Sequence, residues 1–176
     1  MDSAATFIKS ALLSEGDGAV VHVLKGLNTD SGSEVNQQFG FLTEQSLPVD
    51  DAVLHHALST ARVTKSESEL VVMKYAAYVA SNAHVAVMRS TAPGMMEFEL
   101  EARFLYEIYK NGGCRRAAYT SICACGPNAA VLHYGHAAAP NDRQLLSTDI
   151  ALMDMGAEYH GYCSDITCSV SLFMVD

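Results

Sequence analysis

A chain of 176 residues that is 49% hydrophobic can bury one ordinary core or form a piece of a larger fold. Its formal charge of −9, with 20 acidic against 11 basic residues, excludes a phosphate-binding surface, because nucleic-acid affinity comes mainly from clustered Lys and Arg. The densest basic spot is Arg115-Arg116. Five cysteines without a CxxC pair exclude a zinc ribbon or a thioredoxin-type motif. They read as free thiols in a reducing cytosol, so a cytoplasmic location is expected. The start, Met-Asp-Ser-Ala-Ala, lacks a basic stretch leading into an apolar core, so no signal peptide is expected. No apolar run reads as approaching the ~20 residues that cross a bilayer, so no membrane partner is expected.

The first stretch reads as irregular. Residues 19–24 form a short β-branched run, a strand candidate. Turn chemistry follows from Asn28 to Ser33. Residues 34–52 show no clear period. Thr64-Lys65-Ser66-Glu67 fits a capping box with Thr64 as N-cap. Leu70, Met73, Ala77, Val79, Ala80 and Val87 then recur at helical spacing to about Arg89. Pro93-Gly94 breaks the chain. Phe98, Leu100, Phe104, Leu105, Ile108 and Tyr109 predict a second amphipathic helix, closed by Asn111-Gly112-Gly113. Both helices read as core packing without chemistry of their own, and His84 reads as a packed or surface residue. Short strands are predicted over 119–125, 129–134, 150–156 and 162–173. The class is α/β (α+β).

Asp154 interrupts an otherwise apolar strand, where a carboxylate is costly to bury unless it is paired or binds a metal. A tight hairpin turning at Tyr159-His160 would set Asp154 directly opposite Asp165. Directly opposite residues have Cβ atoms ~5 Å apart, and like charges there repel. A divalent cation between them would remove the repulsion. The ordinary alternative places both aspartates at solvent-exposed strand ends, since Asp is common near turns. Spacing alone favours that alternative.

The motifs shift the balance. Residues 131–137 (Val-Leu-His-Tyr-Gly-His-Ala), then Asn141-Asp142-Arg143, then Asp154-Met155-Gly156-Ala157-Glu158-Tyr159, then Ser164-Asp165-Ile166-Thr167 together resemble the prolidase family, the Xaa-Pro dipeptidases of eukaryotes. Residues 119–123 and 28–32 fit the same family in the same order, so the likeness runs from about Ala19 to Cys168. The aspartate pair is shared by the wider superfamily of methionine aminopeptidases, aminopeptidase P and creatinase, whereas the two histidine-bearing and SDITCS blocks resemble prolidase more narrowly. The resemblance implies a pita-bread fold, in which two related α/β halves enclose a dinuclear site, usually of Mn2+, with Co2+ or Mg2+ also suited to oxygen-rich ligands. It implies Asp154 as a ligand of one metal, Asp165 as a bridging ligand, His133 as the histidine that lies over the site and contacts substrate, and Tyr119 as a residue lining the pocket. His136 has a structural role as its equally economical reading. Glu158 and His160 read as solvated hairpin-tip residues, and Cys163 and Cys168 as packing residues.

The family's remaining ligands, one histidine and two glutamates, belong to the second half of the fold, and this chain ends eleven residues after Asp165. The likeness also drifts after Ser169. The resemblance therefore implies that 1–60 is the remnant of an N-terminal creatinase-like domain with its linker, and that 61–176 is the N-terminal half of the metallopeptidase domain. Thr148 stands where the family commonly has Gly, which puts the turn before Asp149 in question. The implied activity is hydrolysis of Xaa-Pro dipeptides by a protein that is a homodimer when complete, with little or no activity in this chain alone. The alternatives are a non-catalytic binding protein of the same fold, an aminopeptidase P-like enzyme, or a half-fold without independent function whose apolar seam invites association.

Overall fold

The computed structural model describes residues 2–29, 31–36, 42, 44–135 and 141–173. They divide into two units, Met1–Lys65 and Ser66–Asp176.

The first unit opens with a helix, α1 (Asp2–Glu15), where the sequence reads as irregular. The expected strand over 19–24 is only β1 (Val21–His22), paired in parallel with β4 (Val49–Asp50). A hairpin of β2 (Lys25–Leu27) and β3 (Glu34–Asn36) encloses the predicted turn, closed by the Asn28 N–H donating to Ser33 O at 2.9 Å. A second helix, α2 (Leu54–Val63), ends the unit without a buried residue of its own.

The second unit begins at α3 (Glu67–Ser90). Its capping box lies two residues beyond the expected one. Ser66 is the N-cap, its Oγ accepts from the Glu69 N–H, and Glu69 Oε2 accepts from the Ser66 N–H at 2.7 Å. Ser-x-x-Glu and Thr-x-x-Glu overlap in this stretch, and the pair that forms brings Glu69 Oε1 to the Tyr162 hydroxyl at 2.7 Å. At 24 residues α3 is long and apolar enough to cross a membrane by length and composition, against the sequence expectation. Its stripe of Ala76, Val79, Ala80, Ala83, His84 and Val87 is instead buried in the core of the unit.

The next helix, α4 (Glu97–Gly112), ends at Gly113 in the left-handed conformation, as the Asn-Gly-Gly signal implies. Its buried face is Leu100, Phe104 and Ile108, one residue per turn, while Phe98 and Tyr109 are exposed. The two helices approach closely where a Cβ on Gly112 would lie 2.1 Å from Val79 Cγ1.

The helices cover one face of an antiparallel sheet ordered β10 (Thr167–Ser171), β7 (Ile150–Asp154), β6 (Ile122–Cys125). Cys123, Cys125, Ala151 and Met153 join α3 and α4 in one apolar cluster. A second antiparallel sheet is ordered β5 (Arg116–Ala117), β8 (Ala157–Tyr159), β9 (Tyr162–Cys163). The expected strand over 129–134 is absent: Gly126–Ala130 is a 3-10 turn, followed by a turn at 132–135. Pro127, at the start of that turn, has no N–H to give to a ladder. The single return strand expected over 162–173 is two strands separated by Ser164, Asp165 and Ile166.

Candidate metal centre

The β7 strand alternates in burial, so Ala151 and Met153 face the helices while Leu152 and Asp154 point to the opposite face. The expected register is off by two. Asp154 pairs with Thr167, not Asp165, and with Ile122 on the other side. The turn is centred on His160-Gly161, both with positive φ, which Gly161 adopts without strain. The same offset runs through the Met155 N–H to Ile166 O bond (3.1 Å) and the Ser164 N–H to Ala157 O bond (2.9 Å). Gly156 and Asp165 lie between those two bonds. Asp165 thus shares a face with Asp154 but sits diagonal to it, where the usual Cβ separation is ~7–8 Å.

The carboxylates meet on a third side chain. Tyr119 OH lies 2.5 Å from Asp154 Oδ1 and 3.1 Å from Asp165 Oδ1. Its aim is set by the backbone: the Ala117 to Ala157 pairing continues as an Ala118 N–H to Gly156 O bond of 2.9 Å. Burial, then the hydrogen bond to Asp154 and the Asp165 carboxylate, hold the phenol protonated far above its ordinary range. One hydroxyl has one proton, so two acidic oxygens share a single donor.

Gly156, which has a place in the motif but no assigned role in the sequence reading, makes this packing possible. A Cβ there would lie 1.9 Å from Ser164 O and 2.9 Å from Tyr119 Cε1. Ser164 completes the frame, its Oγ accepting from the Ala157 N–H at 3.0 Å.

His133 sits exposed in the turn at 132–135 and does not join the aspartates in a cluster of three metal-ligating side chains. His136 lies outside the described residues. Glu158 is partly covered and lies 3.9 Å from Arg116 at the nearest atoms, while His160 is exposed with its ring edge-on to Tyr159. Cys163 is exposed, not packed. Thr148 needs no positive φ: the turn closes through the Asp149 N–H to Leu146 O at 3.0 Å and the Leu146 N–H to Asp149 Oδ2 at 2.9 Å.

Two carboxylates converging on one point are a hard, all-oxygen donor pair of the kind that suits Mn2+, Mg2+ or Ca2+. They fit part of a divalent site. Among the described residues no group of three His, Cys, Asp or Glu side chains completes one.

The sequence reading also missed a polar hub in the second unit. Glu97 on α4 is fully buried, although the helix was expected to carry only packing residues. Its Oε1 accepts from the Cys125 N–H (2.7 Å) and Asn128 Nδ2 (3.2 Å), and its Oε2 from the Tyr134 hydroxyl (2.7 Å) and the Arg143 N–H (3.1 Å). Burial and Glu97 push the Tyr134 phenol up to about 12. Burial and Glu97 likewise push the Cys125 thiol up to about 12, with the Arg143 guanidinium opposing. One turn along α4, Glu101 Oε2 accepts from Asn141 Nδ2 at 2.8 Å, while Asn141 Oδ1 accepts from the Cys123 N–H. Glu97 stands at the first position of an apolar helix after Pro93-Gly94, where an acidic residue reads as complementing the helix N-terminus and no partner could be read from spacing.

The family model for metallopeptidase family M24 matches residues 71–175. The Xaa-Pro dipeptidases of mouse and human are each 44% identical over 160 residues, covering 91% of this chain and 32% of theirs. The chain thus spans about a third of the length of the curated relatives it matches. Among solved structures, the aminopeptidase PepP of Pseudomonas aeruginosa aligns with TM-score 0.65 and 38% identity over 76% of this chain and 29% of its own. Proline aminopeptidase P II of Yersinia pestis aligns with TM-score 0.65 and 33% identity over 76% and 30%. The fold is therefore part of the pita-bread architecture of aminopeptidase P. With more than half its length matched by the family model and the aspartate motif in place, this chain belongs to metallopeptidase family M24.

Proposed function

We infer that this chain is part of a metal-dependent exopeptidase of prolidase type, acting on Xaa-Pro dipeptides. The observation that carries the reading is the convergence of Asp154 and Asp165 on one point beside Tyr119, in a chain 44% identical to Xaa-Pro dipeptidases. Asp154 and Asp165 are the chain's two metal-binding carboxylates, and Mn2+ is the expected ion. When bound, a pair of divalent ions polarises the scissile carbonyl and lowers the pKa of water. The chain's own residues do the rest. The β7 ladder fixes Asp154, the Gly156 gap admits the Tyr119 ring, and the phenol offers its one proton to the two carboxylates until a cation takes its place. His133 contacts substrate from its exposed turn. Residues 61–176 form the first half of the metallopeptidase domain, residues 1–60 the tail of a preceding domain, and the complete protein is a cytoplasmic homodimer. The aminopeptidase P structures favour a second reading, in which longer Xaa-Pro peptides are cut. The higher identity to the dipeptidases favours dipeptides.

The test is a chimera. The matching third of mouse Xaa-Pro dipeptidase is replaced by this chain, and Mn2+-dependent proline release from an Xaa-Pro dipeptide is measured. Release that disappears in the Asp154→Asn, Asp165→Asn chimera supports the reading. A correctly folded chimera that binds Mn2+ through other residues and releases no proline overturns it.

A further inference from the structure

We propose that Glu97 is a positioning residue for the turn that carries His133, gripping the chain on both sides of that turn. The inference rests on the reading of His133 as a substrate contact. A fully buried carboxylate is expensive to keep unless every lone-pair direction is used. Glu97 uses its oxygens on one stretch of chain only. Oε1 takes the Cys125 N–H and the Asn128 amide, which precede the turn at 132–135. Oε2 takes the Tyr134 hydroxyl within the turn and the Arg143 N–H beyond it. Asn128 Nδ2 also donates to Tyr134 OH at 3.0 Å, which closes the hub into a ring of three side chains. His133 precedes Tyr134 directly, so the hydroxyl–carboxylate bond fixes the neighbouring residue's backbone against α4. Core packing does not need this arrangement. Val131 and Leu132 are exposed, and no apolar side chain of 131–133 belongs to the core cluster. Among the described residues, polar bonds are thus the main anchor of a segment without regular secondary structure.

The chemistry supplies a sharp variant. Glu97→Gln keeps the shape but turns one acceptor into a donor. Its amide nitrogen must face either the Cys125 N–H or the Arg143 N–H, and neither backbone N–H can accept. Tyr134 can reverse its hydroxyl, but one flank of the turn is released in either orientation.

The experiment is amide hydrogen exchange with NMR of the His133 imidazole, on wild-type chain, Glu97→Gln and a Ser66→Ala control. The Val131 and Tyr134 amides, bonded to Asn128 O at 3.0 Å and Val131 O at 3.3 Å, report the turn. In Glu97→Gln their exchange should accelerate at least threefold relative to amides of the β10–β7 ladder, with the imidazole signal shifted. The Ser66→Ala control, which destabilises α3 without touching the hub, should move neither ratio nor signal. A Glu97→Gln chain whose ratio changes less than threefold overturns the inference. Should Glu97→Gln not fold, Tyr134→Phe removes one hydroxyl from the rim of the hub and carries the same criterion. Mn2+ titration of the same proteins separates the two readings: loss of Mn2+ binding in the wild-type chain counts against the metal site, whereas an unmoved turn in a Mn2+-binding chain counts against the role of Glu97 alone.

Discussion

Gly156 stands so close to Ser164 that a methyl group on it would sit 1.9 Å from the Ser164 carbonyl oxygen. That contact sets how near the β7–β8 connection can come to the segment carrying Asp165, and it leaves the gap that the Tyr119 ring enters. Gly156→Ala must move backbone, so a loss of ~1–3 kcal/mol in a urea or guanidinium titration is expected, together with at least tenfold weaker Mn2+ binding. Gly161→Ala is the control. Its φ is +85° with open space around it, so strain of ~1–2 kcal/mol is expected, with Mn2+ affinity unchanged. Equal Mn2+ affinity in both variants would count against Gly156 as the shaping residue.

The position of the capping box is testable by two alanine substitutions. Ser66→Ala should cost ~0.5–2 kcal/mol, the usual loss for a helix N-cap. Thr64→Ala should cost within ~0.5 kcal/mol, as for a surface position. Chemical denaturation of the two variants decides between them, and the opposite order would restore the earlier start of α3.

The Arg143–Asp149 pair predicts acid sensitivity. Arg143 Nη1 donates to Asp149 Oδ2 at 2.5 Å, and Leu146 N–H donates to the same oxygen. The Arg143 guanidinium holds the Asp149 carboxyl below its ordinary range. A depressed carboxylate contributes stability that is fully present above its unfolded pKa of about 3.9 and is lost as pH falls through its folded value. Asp149→Asn should therefore cost ~1–3 kcal/mol at neutral pH and flatten the fall in stability below about pH 4. An unchanged acid profile in denaturant titrations at several pH values would remove Asp149 from that role.

The hydroxyl of Tyr119 competes with a cation for the oxygens of Asp154 and Asp165. Tyr119→Phe should tighten Mn2+ binding by roughly threefold or more, because a charge-assisted hydrogen bond no longer has to be broken. Calorimetric titration reads this directly. Weaker binding in Tyr119→Phe would show that the phenol supports the ligands more than it competes for them.

Much of the second unit is legible in the sequence. The apolar periods of α3 and α4, the Gly-Gly stop at Gly113 and the apolar strand ending in Asp154 are local patterns, and local patterns report on neighbours three or four residues away. The residue types at 154, 165, 119 and 133 carried the family likeness without any geometry. The first unit is less legible: α2 buries no residue of its own, and strands of two or three residues are too short to show alternation.

Sequence alone determined the residue types at 119, 133, 154 and 165 that carry the family likeness, and the helices α3 and α4, because those depend on residue type and short-range spacing. Tertiary structure alone decided the rest. The hairpin register is set by where the turn closes, and a shift of the turn by one residue moved the partner of Asp154 from Asp165 to Thr167. The meeting of two diagonal carboxylates on Tyr119, 35 and 46 residues away, depends on a bare glycine opposite. The burial of Glu97 depends on donors 28 to 46 residues further along the chain. Contacts at such separations leave no periodic trace, since a buried carboxylate is tolerated only once the fold has brought its donors to it.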